Sequence, residues 1–328
     1  MKIFRNITHI LTLLTLIISC TKEEPQLPES ESADLCPEMY EVNSSFFYDT
    51  LYKGDIPNVN IGPFFNYMGN YIFESVTSNP MNPFEIAFSR VDSEDLNSGI
   101  DVTWEICVYN FCSNELNIIT TTESSPKTID WGVKNHIILF DNNFKLFFPN
   151  GNKALDINVN GFDPKFSPDG SKILFKNIGG AQIFSIHNEE VLDVLTFNNN
   201  AINWLNNEEL IYASNSGVFS YNLANHQSSL LFNNILGIGQ ITHRGNKVFL
   251  VADGGIYEYE DNTTTLIEES YQTFGGFTPH YLSNNLILQI RYVRDTTGIS
   301  QSNTVKEYSY INILNQNTNE ERIIDLPE

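Results

Sequence analysis

The chain has 328 residues, of which 41% are hydrophobic and 12% aromatic, enough to bury a sizeable core. It carries 40 acidic against 18 basic side chains, and the formal net charge is −22. Because phosphate binding requires clustered lysine and arginine, no nucleic-acid partner is expected, and electrostatic docking on anionic lipid headgroups is disfavoured.

Residues 1–19 have the composition of a secretory signal peptide. Lys2 and Arg5 form a short basic region, and a mostly aliphatic stretch, residues 7–18, follows it. This stretch is too short to span a bilayer as a helix, which needs about 20 residues. It ends in Ile17-Ile18-Ser19-Cys20, which resembles the lipobox of bacterial lipoproteins. The resemblance implies cleavage before Cys20 and acylation of its thiol; the alternative is a buried cysteine behind an ordinary secretory signal.

Residues 20–37 are predicted to be a disordered acidic tether, followed by a single domain over residues 38–328. The tether is rich in acidic residues and has almost nothing apolar to bury. Acidic residues behind the acylated cysteine resemble the surface-export signals of some Gram-negative lipoproteins, and Thr21 stands where aspartate would indicate inner-membrane retention. The resemblance implies an outer-membrane location, facing the periplasm or the cell surface, with the lipid on Cys20 as the membrane anchor.

Three further cysteines remain, and they cannot all pair with one another. Cys107 and Cys112 are close in sequence and could close a small loop across a turn, which would leave Cys36 free or paired elsewhere. No two cysteines form a CxxC motif and no histidine flanks them, so no zinc site is expected.

The body of the chain repeats a pattern of four short strands. In the clearest unit, residues 163–196, turns at Ser167-Pro168-Asp169-Gly170 and Gly179-Gly180 separate the apolar segments. Anchor residues recur at intervals of 35, 38, 39 and 38 residues, namely Trp131, Phe166, Trp204, His243 and Tyr281. This period is typical of a four-stranded propeller blade of about 40 residues.

A looser copy precedes these units. Residues 64–66 and 71–73 are predicted as its first two strands, and residues 106–109 and 116–120 as its last two. Residues 75–103 between them are either an elaborated loop or a further blade. We therefore predict an all-β propeller of four-stranded antiparallel blades, six in number, or seven if residues 75–103 conceal another. Residues 46–52 could supply the closing strand of the last blade.

Residues 166–175, FSPDGSKILF, resemble the F-S-P-D-G-x-x-I-x-F signature of TolB-type propeller repeats. The similarity covers roughly residues 60–326, but a single blade carries the full signature. The resemblance implies a propeller fold, and the family includes protein-binding periplasmic propellers and propellers fused to hydrolases. Fold is implied far more strongly than function.

No catalytic residue can be assigned from the sequence, and no cofactor is expected. It has no nucleophile elbow, no H-E-x-x-H motif and no Walker loop. His243 and His280 lie near the start of a blade's first strand, so both could approach the central channel; packing at an anchor position is the commoner role, and no metal site is assigned.

Two functions remain open. The first is a non-catalytic module that binds a protein, peptide or glycan at the propeller's loops. The second is a propeller-type carbohydrate-active enzyme whose carboxylates or histidine ligands converge in the channel. Residues 75–103 and 294–304, the longest departures from the repeat, are expected to meet on one face as a raised rim.

Overall fold

The computed structural model describes residues 64–326 except 68, 100–101, 127, 142, 160, 197–200, 236, 245–246, 253–254, 261–262, 270–279, 284–285, 296–303, 316–319 and 325. Cys20, the signal peptide and tether predicted over residues 1–37, and the predicted closing strand at residues 46–52 lie outside the described residues. None of the helices in the described part combines the length and hydropathy that crossing a bilayer would require.

Five sheets each contain four consecutive antiparallel strands in sequence order, and we number them blades 1 to 5. Blade 1 comprises β2 (Tyr71–Asn79), β3 (Asn82–Asp92), β4 (Trp104–Asn110) and β5 (Glu115–Thr122). Blade 2 comprises β6 (Ile129–Gly132), β7 (His136–Asp141), β8 (Asn143–Phe147) and β9 (Lys153–Ile157). Blade 3 comprises β10 (Phe162–Phe166), β11 (Lys172–Asn177), β12 (Gly180–Ser185) and β13 (Glu190–Thr196). Blade 4 comprises β14 (Ala201–Trp204), β15 (Glu209–Ser214), β16 (Gly217–Asn222) and β17 (Gln227–Phe232). Blade 5 comprises β18 (Gln240–Arg244), β19 (Lys247–Ala252), β20 (Gly255–Glu260) and β21 (Thr263–Glu269).

The last repeat builds a five-stranded sheet instead of a four-stranded blade. Its strands are β1 (Phe64–Tyr67), β22 (His280–Ser283), β23 (Leu286–Asp295), β24 (Thr304–Asn315) and β25 (Glu320–Ile323). β1 pairs in parallel with the first residues of β24, and β25 pairs antiparallel with its last residues. The 12-residue β24 is long enough to hold both partners on one edge. The predicted six four-stranded blades are therefore wrong: five are regular, and residues 64–66 belong to this sheet and not to the first copy.

The first strands of the sheets contact one another in a closed cycle. β2 contacts β6, β6 contacts β10, β10 contacts β14, β14 contacts β18, β18 contacts β22, and β22 contacts β2. The five-stranded sheet thus lies between blade 5 and blade 1. Within each blade the first strand is innermost and the fourth is outermost, as in a propeller.

Apolar side chains fill the spaces between neighbouring blades. Between blades 2 and 3 the rings of Phe144 and Phe175, both fully buried, lie 4.2 Å apart between centroids. Between blades 3 and 4 the Trp204 indole N–H donates to the carbonyl oxygen of Lys165 at 2.9 Å. Residues on a strand alternate between its two faces, so each blade supplies apolar side chains to both neighbours.

Every four-stranded blade has a register shift between its third and fourth strands. In each case one residue of the outermost strand is skipped in the pairing: Ile119, Ala154, Leu192, Leu231 and Ile267. Such bulges twist an edge strand and hinder its pairing with another chain. In all five blades a bulge in the outermost strand therefore hinders that strand from pairing with another chain.

Residues 75–103 form neither the predicted elaborated loop nor a further blade. Residues 75–103 contain the rest of β2, all of β3, and the short helix α1 (Ser93–Ser98). The Asp92 side chain accepts the backbone N–H of Glu94 at 2.7 Å, and Gly99 ends the helix with φ of 65°. The connection between the second and third strands of this blade is thus residues 93–103; the corresponding connection of the five-stranded sheet, residues 296–303, lies outside the described set.

We name the two ends of the ring by their connections. The lower face carries the turns between first and second strands and between third and fourth strands. The upper face carries the connections between second and third strands and those between blades. Antiparallel order fixes this assignment for every blade.

Candidate functional site

A group of charged side chains lies where blades 2 and 3 meet near the centre of the ring. We call Asp130 on β6, Asp163 and Lys165 on β10, and Lys176 on β11 the charged cluster. The Asp163 Oδ1 atom lies 3.5 Å from the Lys165 Nζ atom, and its Oδ2 atom lies 3.2 Å from the Lys176 Nζ atom. The three side chains are only 19%, 9% and 13% exposed, respectively.

The backbone at Asp163 places its carboxylate between the two lysines. Asp163 has φ of 52°, in the left-handed region, and it precedes Pro164. The pairing of β10 with β11 shifts at this point, since Phe162 pairs with Lys176 but Lys165 pairs with Leu174. Aspartate is among the few residues that tolerate the left-handed region, although at some cost. The two ion pairs offset that cost and hold the irregular turn.

The two carboxyl groups of the cluster differ in their electrostatics. Burial raises the pKa of Asp130 above its ordinary value, and Lys165 and the backbone N–H of Phe166, which Asp130 Oδ2 accepts at 2.7 Å, oppose the rise. Burial also acts to raise the pKa of Asp163, but Lys165 and Lys176 together bring it below its ordinary value. Asp163 is therefore held as a carboxylate, whereas Asp130 is shifted toward its protonated form.

Two exposed apolar side chains stand at the upper face directly above this cluster. Phe162 begins β10 and is 46% exposed, and Ile178 is fully exposed at the tip of the β11–β12 hairpin. We call these two residues the upper patch. The Lys176 Nζ atom lies 5.7 Å from the centroid of the Phe162 ring, so the patch and the cluster are in contact.

The position of this pair is unusual among the exposed large hydrophobic residues of the described chain. The others lie on outermost strands or on the lower face: Met81, Ile118, Phe148, Val191, Leu192, Leu230 and Leu266. Phe162 and Ile178 are thus the members of this set that project from the upper face.

Polar side chains on other first strands link neighbouring blades. Ser75 Oγ accepts the backbone N–H of Ile129 at 2.9 Å, and Asn203 Nδ2 donates to the carbonyl oxygen of Ile241 at 2.9 Å. Asp130 makes the equivalent bond to blade 3. The ring's inner polar residues therefore satisfy backbone groups across blade boundaries.

The histidines predicted near the channel lie on first strands. His243 lies on β18 and pairs with Val248, and His280 lies on β22 and pairs with Leu288. Their side chains are outside the described set, so their approach to the channel stays a prediction. Among the residues that are described, no group of three or more His, Cys, Asp or Glu side chains could hold a metal ion.

The predicted Cys107–Cys112 pairing is wrong. Cys107 is a free, fully buried thiol on β4, and it packs in the core between blade 1 and the five-stranded sheet. Burial raises its pKa to about 12. Cys112 is exposed in the lower-face turn after β4 and is disulfide-bonded, with a partner outside the described residues. One sulfur lies inside the blade and the other in its turn, so the two do not pair.

The Ser-Pro-Asp-Gly segment acts as a turn. Asp169 Oδ1 accepts the hydroxyls of Ser167 at 2.7 Å and Ser171 at 2.8 Å, and the backbone N–H of Ser171 at 3.0 Å. The Asp169 backbone N–H donates to Asn207 Oδ1 of blade 4 at 3.0 Å. Its carboxylate is thus occupied in shaping the turn, and the turn is bonded to the next blade.

Four-stranded antiparallel blades arranged around a closed inner ring define the chain as a β-propeller. No known protein family and no curated protein matches its sequence.

Solved structures resemble the chain in fold. The C-terminal WD40 domain of Sif2 is 10% identical over 81% of this chain and 100% of that chain, with a TM-score of 0.46. PorZ, a bacterial surface component of the type-IX secretion system of Porphyromonas gingivalis, is 9% identical over 79% of this chain and 40% of that chain, with a TM-score of 0.45. An oligogalacturonate lyase in complex with manganese is 10% identical over 62% and 68%, with a TM-score of 0.46. These likenesses assign no function.

Proposed function

We propose that the chain is a lipid-anchored propeller of the TolB type that acts as a non-catalytic binding module for a protein, peptide or glycan. The observation that carries this proposal is the upper patch, in which Ile178 and Phe162 present apolar surface to solvent above a buried ionic support. The propeller provides the rigid frame and the patch provides the contact.

The exposure of Ile178 favours a binding role. A fully exposed isoleucine at a hairpin tip contributes nothing to the packing of its own blade. Covering such a side chain with a partner contributes about 1.5–3 kcal/mol. Aromatic and aliphatic anchors of this kind dominate the affinity of many interfaces, particularly when they are held rigidly.

The charged cluster supplies that rigidity. The Lys176 ammonium lies over the Phe162 ring and is itself paired with the Asp163 carboxylate. Phe162 and Lys176 are also paired across β10 and β11. Phe162 therefore needs little ordering when a partner binds, which lowers the entropic cost of association.

The proposed location is the bacterial outer membrane, at the cell surface or facing the periplasm. Its support is the basic start, the short apolar core and the Ile17-Ile18-Ser19-Cys20 segment, which place a cysteine where lipoproteins are acylated. The lipid on Cys20 is the proposed contact with the membrane.

Capture of partners from a solubilised native envelope tests the binding proposal. Ile178→Asp should reduce capture by about tenfold or more, because it replaces an apolar anchor with a charge that must be desolvated. Leu230→Asp is the matched control, since Leu230 is 53% exposed but lies on the outermost strand β17. Both variants should unfold at the wild-type temperature. Equal capture by wild type and Ile178→Asp, or equal loss in the two variants, would contradict a binding site at the upper patch.

A carbohydrate-active enzyme is the second candidate, favoured by the divergent carboxyl groups of Asp130 and Asp163. Paired carboxyls whose environments push their pKa values apart are typical of an acid and a carboxylate that act together on a glycosidic bond. Release of new reducing ends from envelope polysaccharides by the purified protein would support this function. Asp130→Asn should then abolish the activity, since the amide cannot donate a proton; full activity in that variant would exclude the assignment.

A further inference from the structure

Three aromatic side chains lie on the face of blade 4 that packs against blade 3. Tyr212 on β15 and Phe219 on β16 are cross-strand partners, and their rings are stacked at 5.4 Å between centroids with 17° between the ring planes. Tyr221 lies two residues further along β16, on the same side of the sheet. Tyr212 and Tyr221 pack against the core between blades 3 and 4, yet all three rings stay partly exposed. We call these three residues the aromatic strip.

Hydrogen bonds at the hydroxyl groups fix the two tyrosines of the strip. The Tyr212 hydroxyl donates to Ser228 Oγ at 3.0 Å, and the Tyr221 hydroxyl is hydrogen-bonded to His226 Nδ1 at 2.9 Å. Ser228 lies on the outermost strand β17, and His226 lies in the lower-face turn before it. Because the rings are held at their edges, a partner meets a surface that needs little ordering, which lowers the entropic cost of binding.

Two carboxylates of blade 3 lie on the opposite side of the same boundary. Glu190 and Asp193 are on the outermost strand β13, where they are the cross-strand partners of Ser185 and Ile183. Cross-strand partners share a face of the sheet, and Ile183 packs in the core between blades 3 and 4. Both carboxylates therefore project toward blade 4. Burial and the nearby charge of Asp193 raise the pKa of Tyr221, so this carboxylate lies close to the strip.

The sequence around the strip has an excess of negative charge. Residues 177–243, which include β12 to β17, contain no lysine or arginine. The same residues contain 5 acidic side chains, namely Glu189, Glu190, Asp193, Glu208 and Glu209. Lys172 on β11 also lies at this boundary, but its Nζ atom donates to the carbonyl oxygen of Asn207 at 3.2 Å. The local charge therefore favours a cationic partner over an anionic one.

We propose that the aromatic strip, together with Glu190 and Asp193, binds a lysine- or arginine-bearing segment of a partner protein. The cationic head group pairs with the two carboxylates, and its aliphatic stem lies along the rings of Phe219 and Tyr221. The ring faces carry negative charge density, so they attract the cation as well. A second copy of this chain is a poor occupant, because both surfaces would be acidic at a net charge of −22. The strip is separate from the upper patch, and the proposal requires neither that patch nor the lipid anchor.

Titration of labelled peptides into the purified full-length protein tests the chemistry of the occupant. The probes are glycine–serine peptides of equal length that carry lysines, glutamines or glutamates at the same positions, and binding is read by fluorescence polarisation. We expect the lysine peptide to bind most tightly and its affinity to fall as the salt concentration rises. A glutamine peptide that binds as tightly as the lysine peptide would overturn the cationic occupant, and so would a lysine peptide that does not bind.

Single substitutions locate the site. Asp193→Asn removes one proposed counter-charge, and Tyr221→Leu removes an aromatic face while keeping apolar bulk; each should weaken binding of the lysine peptide by about two- to fivefold. Glu123→Gln is the matched control, since it removes the same charge from an exposed position after blade 1. This control should bind the peptide as wild type does. Equal loss in Asp193→Asn and Glu123→Gln would overturn the site, because the peptide would then be attracted by the acidic chain as a whole.

Carbodiimide coupling on the wild-type protein gives a second readout that needs no variant. The reagent activates carboxylates, and the amine of a bound lysine peptide displaces the activating group as a urea and forms an amide bond. After digestion, mass spectrometry should find the peptide joined to Glu190 or Asp193 ahead of other acidic residues. Cross-links spread evenly over the 40 acidic side chains of the protein would overturn the proposed site.

Discussion

Replacing Asp163 with asparagine removes the negative charge at the centre of the charged cluster and keeps the size of the side chain. Asparagine adopts the left-handed region as readily as aspartate does, so the backbone at φ of 52° is preserved. The change leaves the ammonium groups of Lys165 and Lys176, at 3.5 and 3.2 Å from the replaced oxygens, without their shared counter-charge. Breaking a fully buried ion pair costs about 3–5 kcal/mol. Because the Asp163 side chain is 19% exposed, we expect a loss of about 2–4 kcal/mol in the free energy of unfolding.

The effect should depend on pH with a known sign. The pKa of Asp163 is lowered in the folded protein, so its contribution is fully present above the ordinary value of 3.8 and is lost as the pH falls through the lower folded value. The difference in the free energy of unfolding between wild type and Asp163→Asn should therefore be constant near neutral pH. It should approach zero in acid. The pKa of Asp130 is raised by burial, so its ionisation opposes folding as the pH rises. Asp130→Asn should accordingly be neutral or stabilising at pH 7.

Urea unfolding followed by tryptophan fluorescence measures both variants. Trp104, Trp131 and Trp204 are each at most 5% exposed, so their emission reports on the packing of blades 1, 2 and 4. Adding Lys176→Met to Asp163→Asn should recover part of the loss, because it removes one uncompensated charge. The reasoning is refuted if Asp163→Asn unfolds at the wild-type midpoint, or if Asp130→Asn costs as much as Asp163→Asn.

Two further predictions concern the blade 3 hairpin and the anchor. A Cβ atom on Gly180 would lie 1.8 Å from the Leu195 carbonyl oxygen, so Gly180→Ala should disrupt the β12–β13 pairing and cost about 3 kcal/mol or more. A Cβ atom on Gly179 would contact nothing, and the only cost of Gly179→Ala is the strain of a side chain at φ of 92°. Its unfolding temperature should therefore fall less than that of Gly180→Ala, by an amount equivalent to about 1–2 kcal/mol. Cys20→Ala should move the protein from membrane to soluble fractions or leave its signal peptide uncleaved, and unchanged membrane partitioning would remove the lipoprotein proposal.

The repeat was predictable because its signals are local. Turn residues such as Ser167-Pro168-Asp169-Gly170 and the regular spacing of anchors lie within one blade and need no long-range information. The strand β1 was not predictable in the same way, since its partner β24 lies some 240 residues away in the sequence. Its apolar residues therefore resembled the opening strand of the first copy. The strands of blade 1 were not recognised because buried polar residues gave them the composition of a loop, namely Ser75, Thr77 and Ser89.

The candidate site was only partly accessible to sequence reasoning. The unit starting at Asp163 was recognised, but the left-handed turn that brings its carboxylate between Lys165 and Lys176 depends on pairing between two strands. One signal was available: an apolar residue, Ile178, directly before Gly179-Gly180 in a predicted hairpin turn, where polar residues are usual. The disulfide of Cys112 could not be identified from spacing, since the burial of Cys107 decides which cysteine is free.

The polar residues on the first strands distinguish blade 3 from blades 1, 2 and 4. In blades 1, 2 and 4 the residue at this position, Ser75, Asp130 or Asn203, bonds the backbone of the following blade. In blade 3 the corresponding residue is Lys165, whose side chain pairs instead with Asp163 of its own strand. In the other three blades the residue at this position bonds neighbouring blades together. In blade 3 Lys165 instead stabilises the strained turn at Asp163, and that turn supports the upper patch. Strain that the fold does not require is found where a protein meets its ligand more often than elsewhere. The departure from the packing pattern therefore coincides with the upper patch, which we propose as the binding site.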